Sequence, residues 1–327
     1  MAVLQSPSVA TLVFGVGYLG SRLVQELLYQ GREVVALDNF FASDRRAIDG
    51  FDQAPGFRFV EGSIVDPAAV QRAFDLARDL DGVYLLAAQA SAHPEAAAPE
   101  YTEEVNLRGP RLILDAFVAR QPRVPIVVAS STRVYGTPLP ETVDESSPYG
   151  VFSDLAHLSK CYVEKLLEMY AALHGLTCRA VRLGLVYGVA PVMKTDPRFM
   201  TAPNLFCFQA ASGATIEVRG GDPLPVIHVD DAIQALLWTA ERTGANGFAV
   251  ANAVAAVTTI PEIADQVRQI GETRELTVAI RSLIGSTDRS TVMPVVRSAL
   301  DRLGFSPRRT LPEGLAETFD HFLVHGQ

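Results

Sequence analysis

Cysteine is scarce in this chain: among 327 residues only Cys161, Cys178 and Cys207 carry a thiol. Three dispersed thiols exclude a disulfide framework, and none forms a Cys-x-x-Cys pair for a metal. A reducing, cytoplasmic setting is the expectation. No metal site is expected from the six histidines, His93, His157, His174, His228, His321 and His325. Long apolar runs are absent too, since none approaches the ~20 residues of a membrane span, and Met1 to Ala10 lacks a basic stretch leading into an apolar core. No membrane partner is expected. Positive charge is also in deficit. Lys plus Arg number 28 against 37 for Asp plus Glu, a net charge of −9, which argues against a broad nucleic-acid surface. What remains is 48% hydrophobic and 20% charged, a composition that builds a buried core and excludes disorder. The partner such a chain suggests is a small-molecule substrate.

Through the first half, short β-rich runs alternate with longer helical patterns, as in a parallel sheet made of crossover units. Strands are expected at Val9 to Phe14, Glu33 to Leu37, Phe57 to Glu61, Gly82 to Ala87, Val124 to Ser130 and Thr177 to Gly184. Between them, Leu19 to Tyr29, Pro67 to Arg78, Tyr101 to Ala119 and Asp154 to His174 carry apolar residues at helical spacing. The fold class is therefore α/β, a doubly wound parallel sheet with a smaller C-terminal lobe. After Gly184 the texture changes, with three prolines, Lys194 and Arg198 between Val189 and Pro203. Val226 to Glu241 reads as a strand running into a helix, with Asp230 and Asp231 at the positive end of the helix dipole. Thr259, Pro261 and Glu262 open a further helix. The division expected is residues 1–184 as a dinucleotide-binding domain to which 229–256 returns, and residues 185–228 with 257–327 as a substrate lobe.

Gly15-Val16-Gly17-Tyr18-Leu19-Gly20 follows an apolar strand and opens an amphipathic helix, the context in which such a run binds a dinucleotide. Glycines there permit a tight turn and bring backbone amides up to a pyrophosphate at the helix start. The next strand ends at Asp38, eighteen residues beyond Gly20. A carboxylate in that place accepts hydrogen bonds from both hydroxyls of an adenosine ribose and repels a 2′-phosphate, so NAD is expected. Arg45 and Arg46 could neutralise a phosphate, which leaves NADP open.

These features, with others in order along the chain, resemble the extended short-chain dehydrogenase/reductase family, the NAD-dependent epimerases and dehydratases that mostly act on nucleotide sugars. The landmarks are Gly15 to Gly20; Leu37-Asp38-Asn39-Phe40; Gly62-Ser63-Ile64-Val65-Asp66; Leu86-Ala87-Ala88-Gln89-Ala90; Asn106-Leu107-Arg108-Gly109; and Ala129-Ser130-Ser131-Thr132-Arg133-Val134-Tyr135-Gly136. Ser159-Lys160, Arg182 to Gly188, Ile227-His228-Val229-Asp230-Asp231 and Leu303-Gly304-Phe305 follow. The resemblance implies NAD held by Gly15, Gly17, Tyr18, Leu19, Gly20, Asp38, Asn39, Ser63, Ile64, Ala87, Ala88, Gln89, Asn106 and Lys160. It implies a substrate met by Arg133, Asn204 and Arg219, and a homodimer formed through the helices at Tyr101 to Ala119 and Asp154 to His174.

In that family a Ser or Thr, a Tyr and a Lys four residues later form the catalytic group. Tyr and Lys then share a helix face, and the ammonium lowers the phenol pKa so that phenolate accepts a substrate proton. Ser131 and Lys160 match the first and last members, but the tyrosine position is Ala156. Tyr149, Asp154, His157 and Tyr135 are the nearby candidates to replace it. Tyr149 and His157 are the two taken forward, Tyr149 from the loop before the helix and His157 about 100° round it from position 156. Other departures are Phe14 for the first glycine of GxxGxxG, Ser63 for an adenine-contacting Asp, Leu185 for an Asn and Leu224 for an Arg. Thr132-Arg133 stands where the 4,6-dehydratases carry Asp-Glu, and Arg133 offers a fork for a carboxylate or phosphate. Two readings stay open. One is an NAD-dependent oxidoreductase or epimerase of a sugar nucleotide, or of a related hydroxy or keto substrate, with an altered catalytic group. The other is an NAD-binding protein that has lost catalysis and serves a binding or regulatory role. An α/β hydrolase is disfavoured because no Gly-x-Ser-x-Gly elbow follows a strand.

Overall fold

The computed structural model describes residues 9–43, 45–77, 79–120, 123–242, 246–283 and 293–326. Among these, seven parallel strands form the main sheet, in the order Gly247–Ala253, Thr177–Leu183, Pro125–Ser131, Leu80–Leu85, Ala10–Phe14, Glu33–Asp38 and Phe57–Glu61. The chain thus starts in the middle, winds to one edge, returns past its own start and winds to the other. The C-terminal ends of Ala10–Phe14 and Leu80–Leu85 flank the point of reversal, where open α/β sheets bind their ligands.

Side-chain alternation sends each strand's residues to two faces. Leu12 and Phe14 pack with Phe74, Phe117 and Leu167, under the helices Pro67–Leu76, Gly109–Ala119 and Leu155–His174. Val13 packs oppositely with Leu23, Leu27 and Leu236, under Tyr18–Tyr29 and Val229–Arg242. Both faces are buried, which explains why these strands read as continuous apolar runs. A third apolar cluster, including Phe206, Val226, Ile263, Leu315 and Phe319, lies among the helices Ala202–Ala211, Ile260–Glu272 and Leu311–His325 and the three-stranded sheet of Leu185–Tyr187, Pro223–His228 and Ala256–Thr259. Thr259 and Glu262 close a capping box at the start of Ile260–Glu272.

Two elements differ from their sequence outline. The expected strand Gly82 to Ala87 is found at Leu80–Leu85, because the amides of Leu86 and Ala87 both turn to the Phe14 carbonyl, at 2.8 and 2.7 Å. The expected helix Tyr101 to Ala119 is interrupted: Pro99–Glu103 and Gly109–Ala119 are α-helical, while Glu104–Arg108 forms a π-turn. Pro110 lacks the N–H that an unbroken helix needs, and the widened turn presents Asn106 to the loop after Leu80–Leu85.

Candidate active site

A cavity of about 680 Å³ runs along the C-terminal edge of the main sheet, from Gly15–Gly20 and Asp38 at one end to Ser131, Ala156 and Lys160 at the other, with Leu224, Pro225 and Ile260 of the smaller lobe on its wall. At the first end the glycines are required by contact as well as conformation. Gly15 has φ +98°, and a Cβ there would lie 2.5 Å from the Ala87 amide nitrogen. A Cβ on Gly20 would lie 1.9 Å from the Gly15 carbonyl oxygen. Gly17 is the N-cap of Tyr18–Tyr29, with no side-chain cap on the helix amides, and a Cβ there would meet only the Lys194 ammonium, at 3.6 Å. An uncapped helix start facing a cavity and a cation suits an anionic group.

Asp38 is anchored before any ligand arrives: Oδ2 accepts from the Val16 amide at 2.6 Å and Oδ1 from the Phe40 amide at 2.7 Å. Each oxygen retains acceptor capacity for a hydroxyl. Asn39, Ser63, Ile64, Ala87, Ala88 and Gln89 line the same stretch. Asn106 lies behind it, accepting from the Gln89 amide at 2.8 Å and donating to the Gln89 carbonyl at 2.8 Å and to Ser159 Oγ at 3.0 Å. It shapes the wall from outside the cavity.

At the other end, Lys160 Nζ donates to the Ala129 carbonyl at 3.0 Å, and burial pulls its pKa down to about 8 against the opposing pull of Glu164. Ala156 leaves no titratable atom at the neighbouring position on the helix. His157, next along, faces the cavity with Nδ1 2.7 Å from Asp154 Oδ2, while Asp154 Oδ1 accepts from the His157 amide at 2.9 Å. Burial works against the Asp154 carboxylate, but the hydrogen bonds from His157 outweigh it and hold its pKa below the usual value. Ser131 and Arg133 complete the lining.

The profile of the NAD dependent epimerase/dehydratase family matches residues 11–251. The chain belongs to that family. It is 29% identical to the UDP-glucose 4-epimerase of Mycolicibacterium smegmatis, over 95% of this chain and 98% of that one. It is 25% identical to the UDP-glucuronic acid decarboxylase 1 of Danio rerio, over 94% of this chain and 71% of that one. The solved structure of the Thermus thermophilus UDP-glucose 4-epimerase in complex with NAD superposes with a TM-score of 0.80 at 25% identity, covering 96% of this chain and 99% of that one.

The epimerase/dehydratase cofactor, NAD, suits the glycine end, where the backbone approaches as closely as only glycines permit and Asp38 is held ready for hydroxyls. Arg45 is paired with Glu61 at 2.9 Å, and the side chain of Arg46 lies outside the described residues. Asn204 lines the cavity and is fixed to Gly188, accepting from its amide at 3.0 Å. Three residues singled out from the sequence stand elsewhere. Arg219 is exposed and paired with Glu217. Tyr149 donates to Glu164 Oε2 at 3.0 Å, and burial together with that carboxylate pushes its phenol well above the ordinary value. Tyr135 donates to Asn252 at 2.7 Å and accepts from Arg182 at 2.8 Å in the same buried network.

In the sequence the segment from Val189 to Pro203, with Lys194 and Arg198, was noted but given no role at the cavity. Lys194 donates to the Ala42 carbonyl at 3.2 Å, Val192 N–H donates to Ser21 Oγ at 3.1 Å, and Arg198 donates to the Glu95 carbonyl at 2.9 Å. Phe199 meets Phe41 edge-on, and Phe41 stacks on Tyr101 at 4.1 Å. This segment of the smaller lobe therefore closes over the glycine end. Its sequence signal was Lys194 and Arg198 inside an irregular stretch bearing three prolines.

Proposed function

We propose that this chain is an NAD-dependent redox enzyme of UDP-sugars in which His157, held by Asp154, handles the proton that a tyrosine at position 156 would otherwise handle. The observation that carries the reading is the His157–Asp154 pair in one cavity with Ser131 and Lys160. With Nδ1–H donated to Asp154, Nε2 of the neutral ring keeps its lone pair for a sugar hydroxyl. His157 takes the hydroxyl proton as that carbon becomes a carbonyl, and returns it when the carbonyl is reduced. Ser131 donates to the same oxygen and holds it in place. Lys160 supplies a positive charge beside it and a donor toward the cofactor. Bound NAD supplies the hydride acceptor. UDP-sugars enter the proposal from the named activities of the relatives in M. smegmatis and D. rerio.

The reading extends to organisation. Residues 1–184 with 229–256 form the NAD domain, supported by the return of Gly247–Ala253 to the sheet beside Thr177–Leu183, and 185–228 with 257–327 form the substrate lobe. Leu158, Tyr162, Met169 and Leu173 make an exposed apolar stripe on Leu155–His174 at spacings of four, seven and four. That stripe supports a homodimer, and the three unbridged, buried cysteines suit a cytoplasmic protein.

Ala156 favours a second reading, an NAD-binding protein without turnover. The pair is separated by Ala156→Tyr, assayed with UDP-glucose and UDP-glucuronic acid by chromatography of the sugar-nucleotide products, with reduced nicotinamide absorbance reporting the transient oxidation. The proposal expects turnover in the natural chain and loss in Ala156→Tyr, whose ring would occupy the space at position 156. An inert natural chain and an active Ala156→Tyr would establish the binding protein instead.

A further inference from the structure

Arg133 begins the Thr132–Tyr135 turn directly after the Pro125–Ser131 strand, and it lines the cavity beside Ser131, Ala156 and His157. Its guanidinium has one hydrogen bond, from Nη1 to the Thr137 hydroxyl at 2.6 Å, and no carboxylate within ion-pair distance among the described residues. Asp154 and Asp222 act on it only from farther away, and Asp154 has both oxygens engaged by His157. Partial burial lowers its pKa, against the weaker opposing pull of Asp154 and Asp222. Arg182, which is buried near this end, shows the contrast. Arg182 is matched by Glu164, with Nη2 2.7 Å from Oε2.

We infer that Arg133 receives a carboxylate borne by the sugar itself, so that the preferred substrate is a UDP-hexuronic acid and not a neutral UDP-hexose. This rests on the UDP-sugar reading above and narrows it. A planar fork facing a cavity matches a carboxylate through two parallel hydrogen bonds, a geometry that neutral hydroxyls do not reproduce. Its place argues for the sugar's own carboxyl: Ser131, whose hydroxyl accepts from the Arg133 amide at 3.2 Å, and His157, to which the proposal gives the reacting hydroxyl, line the same cavity. The diphosphate on the anomeric carbon is the competing anion, and experiment separates the two.

The test is calorimetric titration of the NAD-loaded protein with UDP, UDP-glucose and UDP-glucuronic acid, for the natural chain, Arg133→Met and Arg133→Lys. The inference expects UDP-glucuronic acid to bind about tenfold or more tighter than UDP-glucose, as one charge-assisted hydrogen-bonded pair allows. Arg133→Met should erase that preference and Arg133→Lys should keep part of it, with unchanged melting profiles confirming that both fold. Equal affinity for the two sugars in the natural chain would overturn the inference, as would Arg133→Met weakening UDP as much as UDP-glucuronic acid, which would assign the guanidinium to the diphosphate. Failure of UDP and both sugars to bind would instead defeat the UDP-sugar reading itself, and the inference with it.

Discussion

The two ends of the cavity are built on opposite principles. At the glycine end the key groups are held within the fold: Asp38 by two amides, Asn106 by both sides of Gln89, and the glycines by contacts that admit no side chain. At the other end Arg133 and Lys160 have no carboxylate within ion-pair distance among the described residues, His157 lines the cavity with Nδ1 engaged by Asp154, and position 156 carries no titratable atom. On the proposed function, the end suited to the cofactor is complete in the protein alone, whereas the reacting end is completed by its substrate. Affinity for NAD should therefore survive changes that abolish turnover.

The largest effect expected is at the glycine turn. Gly15→Ala places a Cβ 2.5 Å from a backbone nitrogen at a φ that side chains avoid, so the turn must shift. NAD binding should fall below detection by calorimetry while His157→Ala binds NAD as the natural chain does. Next is the wall behind Lys160. Glu164 accepts from the buried Ser130 and Arg182 and the half-buried Tyr149, and Glu164→Ala leaves a buried guanidinium unpaired. A loss of about 3–5 kcal/mol in urea unfolding is expected.

Smaller is Asp38→Asn, which removes the charge but keeps one acceptor. It should cost about tenfold in NAD affinity and narrow the gap to NADP, measured by titration with each. Smallest is a pH effect at Lys160. Its folded pKa, about 8, lies below the ordinary 10.5, so between those values the unfolded chain binds more protons and stability rises with pH. Below about pH 8 the burial cost is carried in full. Lys160→Met should therefore raise the melting temperature at pH 7, and the gain should fade by about pH 10. Because the side chain borders an open cavity and water screens it, the gain is on the order of 1 kcal/mol, roughly 2 °C.

The same contrast explains what was legible in the sequence. Gly15 to Gly20 and Asp38 announce themselves because steric and charge rules restrict those positions to few residue types at a set distance. Continuous β-rich apolar runs likewise marked the sheet, since both of its faces are buried. The π-turn at Glu104–Arg108 was hidden because apolar spacing continues through it, with Pro110 the only signal. Lys194 and Phe199 reach the cavity through a segment without regular periodicity, so only the folded chain brings them to Ala42 and Phe41. For Tyr149, proximity in sequence suggested the cavity, but the buried Glu164 offers its hydroxyl a stronger partner.

The most direct test of a reacting end rebuilt around His157 is a single-turnover experiment on NAD-loaded protein with UDP-glucuronic acid, following reduced nicotinamide absorbance in the natural chain, His157→Ala and Asp154→Asn. The account predicts a transient in the natural chain, slowed about 10²- to 10⁴-fold in His157→Ala and by less in Asp154→Asn, with NAD affinity unchanged in both. Equal transients in the natural chain and His157→Ala would contradict it.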